Sequence, residues 1–297
     1  MDIKKFVAQR KALRLSQVKL SAGICTQATL SKFERQGRVP SLAILEQLCA
    51  RLGLTVDDLN ETQATSVTKM RDRLDKIEKQ LMMEDYRAVL QSLDEIDETK
   101  INAIPLKMQF YYLRGMLNSL INKGPDDVLF DFSRILNGFD EKHETIFTQL
   151  AYVGSGVMYG RREQPEKAKF YFTKTHRYVR QALADSRAAA GNDYLRLLTL
   201  LFYTAEFYAL SGDFATSNDL INAGVLLCSD KHVTYYLPRL KFLAAENAIT
   251  QHQDADAIQR LMNEALAFAR INHNEVVEVK VAALRSRYEK QAESESE

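Results

Sequence analysis

Four side chains close together, Gln27, Ala28, Thr29 and Lys32, have the types and spacing needed to read a nucleic-acid groove. Gln27 and Thr29 can hydrogen-bond to base edges, Ala28 is small enough to approach a thymine methyl, and Lys32 can reach a guanine edge or a phosphate. They share one side of a helix predicted over residues 27–35, whose other side carries Leu30 and Phe33. Those two apolar residues are expected to pack with Ile24, Leu13 and Val18.

The elements that position this edge are short helices. Ile3 to Leu13 places Ile3, Phe6, Val7 and Arg10 at helical spacing. Ser16 caps a second helix over 17–23 that stops at Gly23, and Thr26 caps the third, which Gly37 ends. Pro40 and Ser41 open a fourth over 42–52, closed by Gly53, and Thr55 caps a last turn over 56–60. A polar stretch, NETQATSVT, then reads as a linker over 61–68.

Charge follows the same division. Residues 1–60 hold ten Lys and Arg against five Asp and Glu, an excess of +5 that leaves −4 for the rest of a chain whose total is +1. A basic head on a mildly acidic body suits a polyanionic partner.

With its flanks, the stretch from Arg10 to Leu54 resembles the helix-turn-helix of the Xre/Cro family of DNA-binding regulators. The resemblance rests on the Ser16-Gln17 opening, Ser31, Phe33 and Glu34 in the third helix, the Gly37 turn and the Pro40-Ser41 restart. It implies that Ser16 and Gln17 touch phosphates at a helix N-terminus, that Gln27, Thr29 and Lys32 enter the major groove, and that Glu34 pairs with Arg10. Thr26, Ser31 and Arg38 complete the expected DNA-binding set. Cys25 departs from the small or polar residue usual at its turn.

From residue 69 to 297 the pattern is helical throughout. Breaks at Glu84/Asp85, Lys123/Gly124, Glu163/Gln164, Gly212/Asp213 and His252/Gln253 each join two amphipathic helices. The segments 156–172 and 205–221 share a small residue, an aromatic three later (Tyr159, Tyr208), a turn, a small residue (Ala168, Ser217) and an apolar residue four on (Phe172, Ile221). This resembles the tetratricopeptide pattern, which implies a solenoid with a concave face for an extended ligand. The expected fold class is all-α, an N-terminal helix-turn-helix domain over 1–60 followed by a solenoid of helical hairpins over 69–297.

That architecture resembles the peptide-sensing quorum regulators of Gram-positive bacteria, particularly the PlcR-like branch, on Ile24, Cys25, Gln27 and Ser31 and on the order of the two parts. The resemblance implies a cytoplasmic homodimer that binds an operator in double-stranded DNA and takes a short signalling peptide on the concave face. Ligand-facing candidates from the repeat register are Gln109, Tyr112, Asn118, Gln149, Tyr203, Glu206, Arg239 and Glu246. Where side-chain amides would stand, at Val157 and Tyr203, this sequence has none. The alternative reading is a constitutive DNA-binding regulator whose repeats dock a protein partner.

Three widely separated cysteines without CxxC spacing suit a reducing compartment, and the N-terminus MDIKKFVAQR reads as free of a leader segment. No apolar run approaches the roughly 18 residues of a membrane span. The five histidines lack ligand spacing and no phosphate-binding or nucleophile motif occurs, so no metal, cofactor or enzymatic activity is expected. Lys69 to Leu81 is the expected connecting helix, and the tail from Glu293 to Glu297 is expected to fray.

Overall fold

The computed structural model describes residues 1–184 and 193–296, the side chains of 60–66 and 292–296 excepted. It is all-α, with no strand among the described residues. Two compact units divide it, Met1–Arg73 and Leu74–Glu297.

The first unit contains α1 (Ile3–Ala12), α2 (Gln17–Ser21), α3 (Gln27–Gln36), α4 (Leu42–Arg51) and the start of α5 (Val56–Met82). Local chemistry sets these boundaries. Asp2 accepts from the Lys5 amide, Ser16 from the Lys19 amide and Thr26 from the Thr29 amide, each satisfying a free N–H of a first turn. Gly37 ends α3 at φ 71°, a left-handed cap that glycine adopts without a Cβ penalty. Phe6, Leu20, Leu30, Phe33, Leu45, Leu48, Cys49, Leu52 and Leu59 form the core, with Phe6 and Phe33 in an edge-to-face pair 5.1 Å apart. This corrects one expectation: Leu13 and Val18 are 48% and 66% exposed and stand outside the core that holds Leu30 and Phe33. A helix as short as α2 buries only Leu20 and Ser21, and Val18 points away from them.

A second correction concerns residues 56–68. Instead of one turn and a loose linker, α5 runs unbroken for 27 residues. Thr55 and Asp58 form a reciprocal cap at its start: the Thr55 amide donates to Asp58 Oδ2 (2.7 Å) and the Asp58 amide to Thr55 Oγ1 (3.1 Å). The polar stretch contains no Gly or Pro to stop the helix.

The second unit is a stack of hairpins: the end of α5 with α6 (Tyr86–Asp94), α7 (Ile104–Leu120) with α8 (Pro125–Arg134), α9 (Ile146–Arg161) with α10 (Pro165–Ala184), α11 (Asp193–Leu210) with α12 (Phe214–Asp230), and α13 (Leu237–Thr250) with α14 (Ala255–Ile271), then α15 (Glu275–Ser296). A short 3-10 turn (Glu98–Lys100) precedes α7 and a π turn (Ile135–Phe139) extends α8. Each turn joining the two helices of a hairpin holds one residue in the left-handed region: Glu84, Asn122, Glu163, Gly212 and His252. The amide of the following residue then bonds back five positions, as Asp85 to the Gln80 carbonyl and Gln253 to the Ala248 carbonyl. His143, His232 and His273 stand in the same left-handed conformation.

First helices of successive hairpins pack on one another, α7 on α9, α9 on α11, α11 on α13 and α13 on α15, forming one continuous layer. Small residues allow the close approach within hairpins. A Cβ on Gly156 would stand 2.7 Å from the Phe172 ring, the pair on which the repeat pattern was read. The tail residues 293–296 continue α15, but their side chains lie outside the described residues, as does Glu297 altogether.

Candidate nucleic-acid interface and inner face of the repeats

In the first unit a relay of hydrogen bonds leads from the core to the exposed edge of α3. Arg10 donates through Nε and Nη2 to the two oxygens of Glu34 (2.7 and 2.8 Å), a bidentate pair, and through Nη1 to the Leu15 carbonyl (2.8 Å). Glu34 Oε2 also accepts from Gln17 Nε2 (2.8 Å). Gln17 Oε1 in turn accepts from Gln27 Nε2 (2.7 Å). Burial pushes the Glu34 carboxyl up, but the bonds from Arg10 and Gln17 outweigh it and hold the group below its ordinary range. Glu34 therefore stays charged and orients Gln17, and Gln17 orients Gln27.

Ser16, Thr26, Gln27, Ala28, Lys32 and Arg38 are exposed, while Gln17, Thr29 and Ser31 are half-buried. Thr26 and Thr29 share a hydroxyl–hydroxyl bond of 2.8 Å, which ties Thr29 to the cap of its own helix. The basic residues sort into two groups. Lys5 donates to the Asp58 carbonyl and Arg51 to the carbonyls of Leu20 and Ala22, so both hold the fold together, as Arg10 does. Lys4, Lys11, Arg14, Lys19, Lys32, Arg35 and Arg38 remain exposed.

In the second unit, six of the eight residues read as ligand-facing gather around the end of α5. Gln109 Nε2 donates to Asp75 Oδ1 and Glu78 Oε2 (both 2.8 Å). Arg196 donates through Nε and Nη2 to Glu78 (3.1 and 3.0 Å), another bidentate pair between buried side chains. Tyr112 and Tyr203 are buried among these groups, and burial raises the pKa of each hydroxyl. Arg239 lies 3.9 Å over the Phe202 ring and 5.0 Å over that of Tyr203, with its Nε 3.9 Å from Glu84. Lys280 completes the cluster with a 2.9 Å bond to Glu84.

The carboxylates of Glu206 and Glu246 face this cluster without a hydrogen bond or ion pair among the described residues, while the Glu246 backbone carbonyl accepts from the Thr250 hydroxyl. Burial raises both carboxyls, and Glu206 raises Glu246 further. Glu246 also lines a cleft of about 210 Å³ between α13 and α15 with Ile249, Leu284, Arg287 and Tyr288. Asn118 and Gln149 do not join the cluster: Asn118 is buried near the end of α7, and the Gln149 carbonyl oxygen is buried without a partner.

Sequence reasoning missed Glu78, Glu84, Arg196 and Lys280. A signal existed for Arg196, a charge set into the apolar run YLRLLTLLFY just after Asp193, since such a charge must find a partner when buried.

A helix-turn-helix family model matches residues 8–59. Residues 8–59 are a helix-turn-helix domain. The whole chain has the fold of several solved structures. ComR from Streptococcus vestibularis in complex with its signalling peptide XIP is 16% identical, with 96% of this chain and 97% of that one covered and a TM-score of 0.66. PlcR from Bacillus thuringiensis, in complex with the peptide PapR7 and DNA, is 13% identical over 94% of this chain and 98% of that one, with a TM-score of 0.58. ComR from S. thermophilus with DNA and its signalling peptide ComS follows, 16% identical over 96% and 98%, with a TM-score of 0.54. No curated protein matches this chain by sequence. The likeness extends over the helix-turn-helix domain and the helical hairpins of this chain alike. No helix among the described residues is long and apolar enough to cross a membrane.

Proposed function

We propose that this chain is a sequence-specific DNA-binding transcription regulator controlled by a short peptide bound on the inner face of its repeats, and that it works as a cytoplasmic homodimer. The observation that carries the DNA half is the relay ending on Gln27. With one Nε2 hydrogen given to Gln17, Gln27 keeps its Oε1 acceptor and a second N–H donor. That acceptor–donor pair matches the N6 and N7 edge of adenine in the major groove, a contact that discriminates by about 1–3 kcal/mol. Thr29 and Lys32 flank it, and Ser16 and Gln17 stand at the N-terminus of α2, where free amides suit a phosphate. A dimer follows from half-site geometry, because one such helix reads only a few base pairs.

The peptide half is supported by the shared fold with PlcR and ComR, whose structures hold signalling peptides, and by the mixed-charge inner face around Tyr203, Glu206, Arg239 and Glu246. The test is selection of sheared genomic DNA by the purified protein, with and without a peptide fraction from spent medium. Enrichment of a two-fold symmetric site that changes with the fraction is the expected result. An unchanged site refutes peptide control, and no enriched site refutes the groove assignment.

A further inference from the structure

The inner face of the repeats holds an occupant supplied by the chain itself. The turn between α5 and α6 projects the Glu84 side chain among helices that follow much later, α13 and α15. Glu84 is buried and held at φ 62°, a backbone conformation that a side chain of its kind rarely takes.

Its fit there is incomplete. Glu84 Oε1 accepts from Lys280 Nζ at 2.9 Å, whereas the nearest Arg239 nitrogen is 3.9 Å away, outside hydrogen-bond distance. Glu84 Oε2 and Arg239 Nη1 are both buried without a hydrogen-bond partner among the described residues. Arg239 is meanwhile fixed over the rings of Phe202, Tyr203 and Tyr236, so its guanidinium is a stationary cation with an unused N–H. Buried N–H groups of this kind call for an acceptor, and a guanidinium is best satisfied by a carboxylate that meets it with two parallel bonds. Glu84 does not do so.

We propose that Arg239 and Lys280 form a carboxylate-binding site that Glu84 occupies as an internal stand-in, and that a carboxylate of the bound peptide displaces Glu84 and frees the α5–α6 turn. The assignment rests on the peptide reading above for the source of that carboxylate. Release is local, because Glu78 remains anchored by Arg196 and Gln109 one and a half turns earlier on α5. The freed segment is the C-terminal end of α5 and the turn that follows it.

Hydrogen exchange of the full-length protein, read by mass spectrometry, tests this. Glu84→Gln should speed exchange of amides 80–88 by about tenfold and leave those of α7 unchanged, as expected for local opening. Lys280→Gln, at a half-exposed position, should do the same if the first variant folds poorly. Unchanged exchange in a folded variant overturns the latch. For the ligand, three heptapeptide pools serve as probes: one without Asp or Glu and with a free C-terminus, the same pool amidated, and an amidated pool containing Asp and Glu. Capture of the first or third but not the second, with faster exchange at 80–88 in the wild type, is expected, and the first and third arms tell a terminal from a side-chain carboxylate. Capture blind to carboxylates overturns the site and leaves the peptide reading standing, while capture from no pool overturns both.

Discussion

Each unit of this protein contains one bidentate arginine–glutamate pair of nearly equal burial, and the two are used in opposite ways. Arg10 and Glu34 expose 12% and 5% of their side chains, Arg196 and Glu78 12% and 6%. From Glu34 the hydrogen bonds run outward through Gln17 to Gln27 and end at an exposed edge. From Glu78 they run inward to Gln109 and Arg196, and every partner is a side chain of the repeats. The same pair therefore orients an exposed side chain of α3 in one unit and pins a helix in the other. What surrounds the pair, more than its own strength, decides its role, as expected where desolvation offsets much of the Coulombic gain.

Breaking the two pairs should show this. Arg196→Met leaves Glu78 buried with only an amide for company and should destabilise the repeat unit by about 3–5 kcal/mol, the cost of an unpaired buried charge. Calorimetry of the full chain would register it as a lower Tm for the repeat transition, and a loss under about 1 kcal/mol would sink the assignment. Arg10→Met likewise leaves Glu34 with a single amide bond, from Gln17, and should cost the first unit a similar amount. Its distinctive effect is on recognition: with Glu34 free to turn, Gln17 and Gln27 lose their fixed orientation, and selection against wrong bases at the Gln27 position should relax.

The DNA edge can be probed directly. Gln27→Ala with Thr29→Ala should cost about 1–3 kcal/mol of base discrimination. Lys32→Ala should weaken binding evenly across sequences and lower the salt slope by about 1 if that lysine meets a phosphate. Titration of a selected operator at several salt concentrations separates the two, and unchanged binding in both variants would refute the groove assignment.

The two units also differ in how far their structure could be read from the chain. Helix ends in the first unit were legible because their causes are local: Ser16 and Thr26 cap, and Gly37 ends, within three residues of the backbone groups they serve. The Arg10–Glu34 pair was legible only through the family resemblance. Hairpin turns of the repeats were legible for the same local reason, since the left-handed residues Glu84, Glu163, Gly212 and His252 stand at the breaks in the apolar pattern. The failures have physical causes too. Val18 looked like core because its type is apolar, but α2 is too short to bury two faces. Residues 61–68 looked like a linker because they are polar, although polarity without Gly or Pro does not end a capped helix. Glu78 and Arg196 are 118 positions apart, and nothing local joins them.

Steric dependence differs between the units as well. Gly156→Ala would drive a Cβ into the Phe172 ring and should cost the repeat unit about 1–3 kcal/mol through overpacking. In the first unit, Gly37→Ala meets no side chain closer than Ile3 at 3.6 Å and should cost only the left-handed backbone, about 1–2 kcal/mol. Compensation of the first loss by Phe172→Leu, with no such rescue for the second, would confirm that one is a packing effect and the other a backbone effect.

The smallest expected effect is in the pH dependence, where Glu34 of the first unit and Glu206 and Glu246 of the second should contribute slopes of opposite sign. Glu34 is held below its ordinary value, so the folded first unit binds fewer protons than the unfolded chain. Its contribution is complete above about 4.5, the ordinary glutamate value, and is lost as pH falls through the lower folded value. Glu206 and Glu246 are raised by burial, so at these two sites the folded repeat unit binds more protons than the unfolded chain, whereas Glu84, Asp97, Asp140 and Asp213 of the same unit are held below their ordinary values. The charged forms of Glu206 and Glu246 cost stability that grows as pH rises from about 4.5 toward the folded values and is constant beyond them. Melting curves from acid to neutral pH should therefore show Glu34→Gln flattening the acid loss of the first unit, and Glu206→Gln removing the cost that its carboxylate adds to the second on the way to neutrality. If both variants move the two transitions alike, the carboxylates of the inner face are not the unpartnered groups that their surroundings make them.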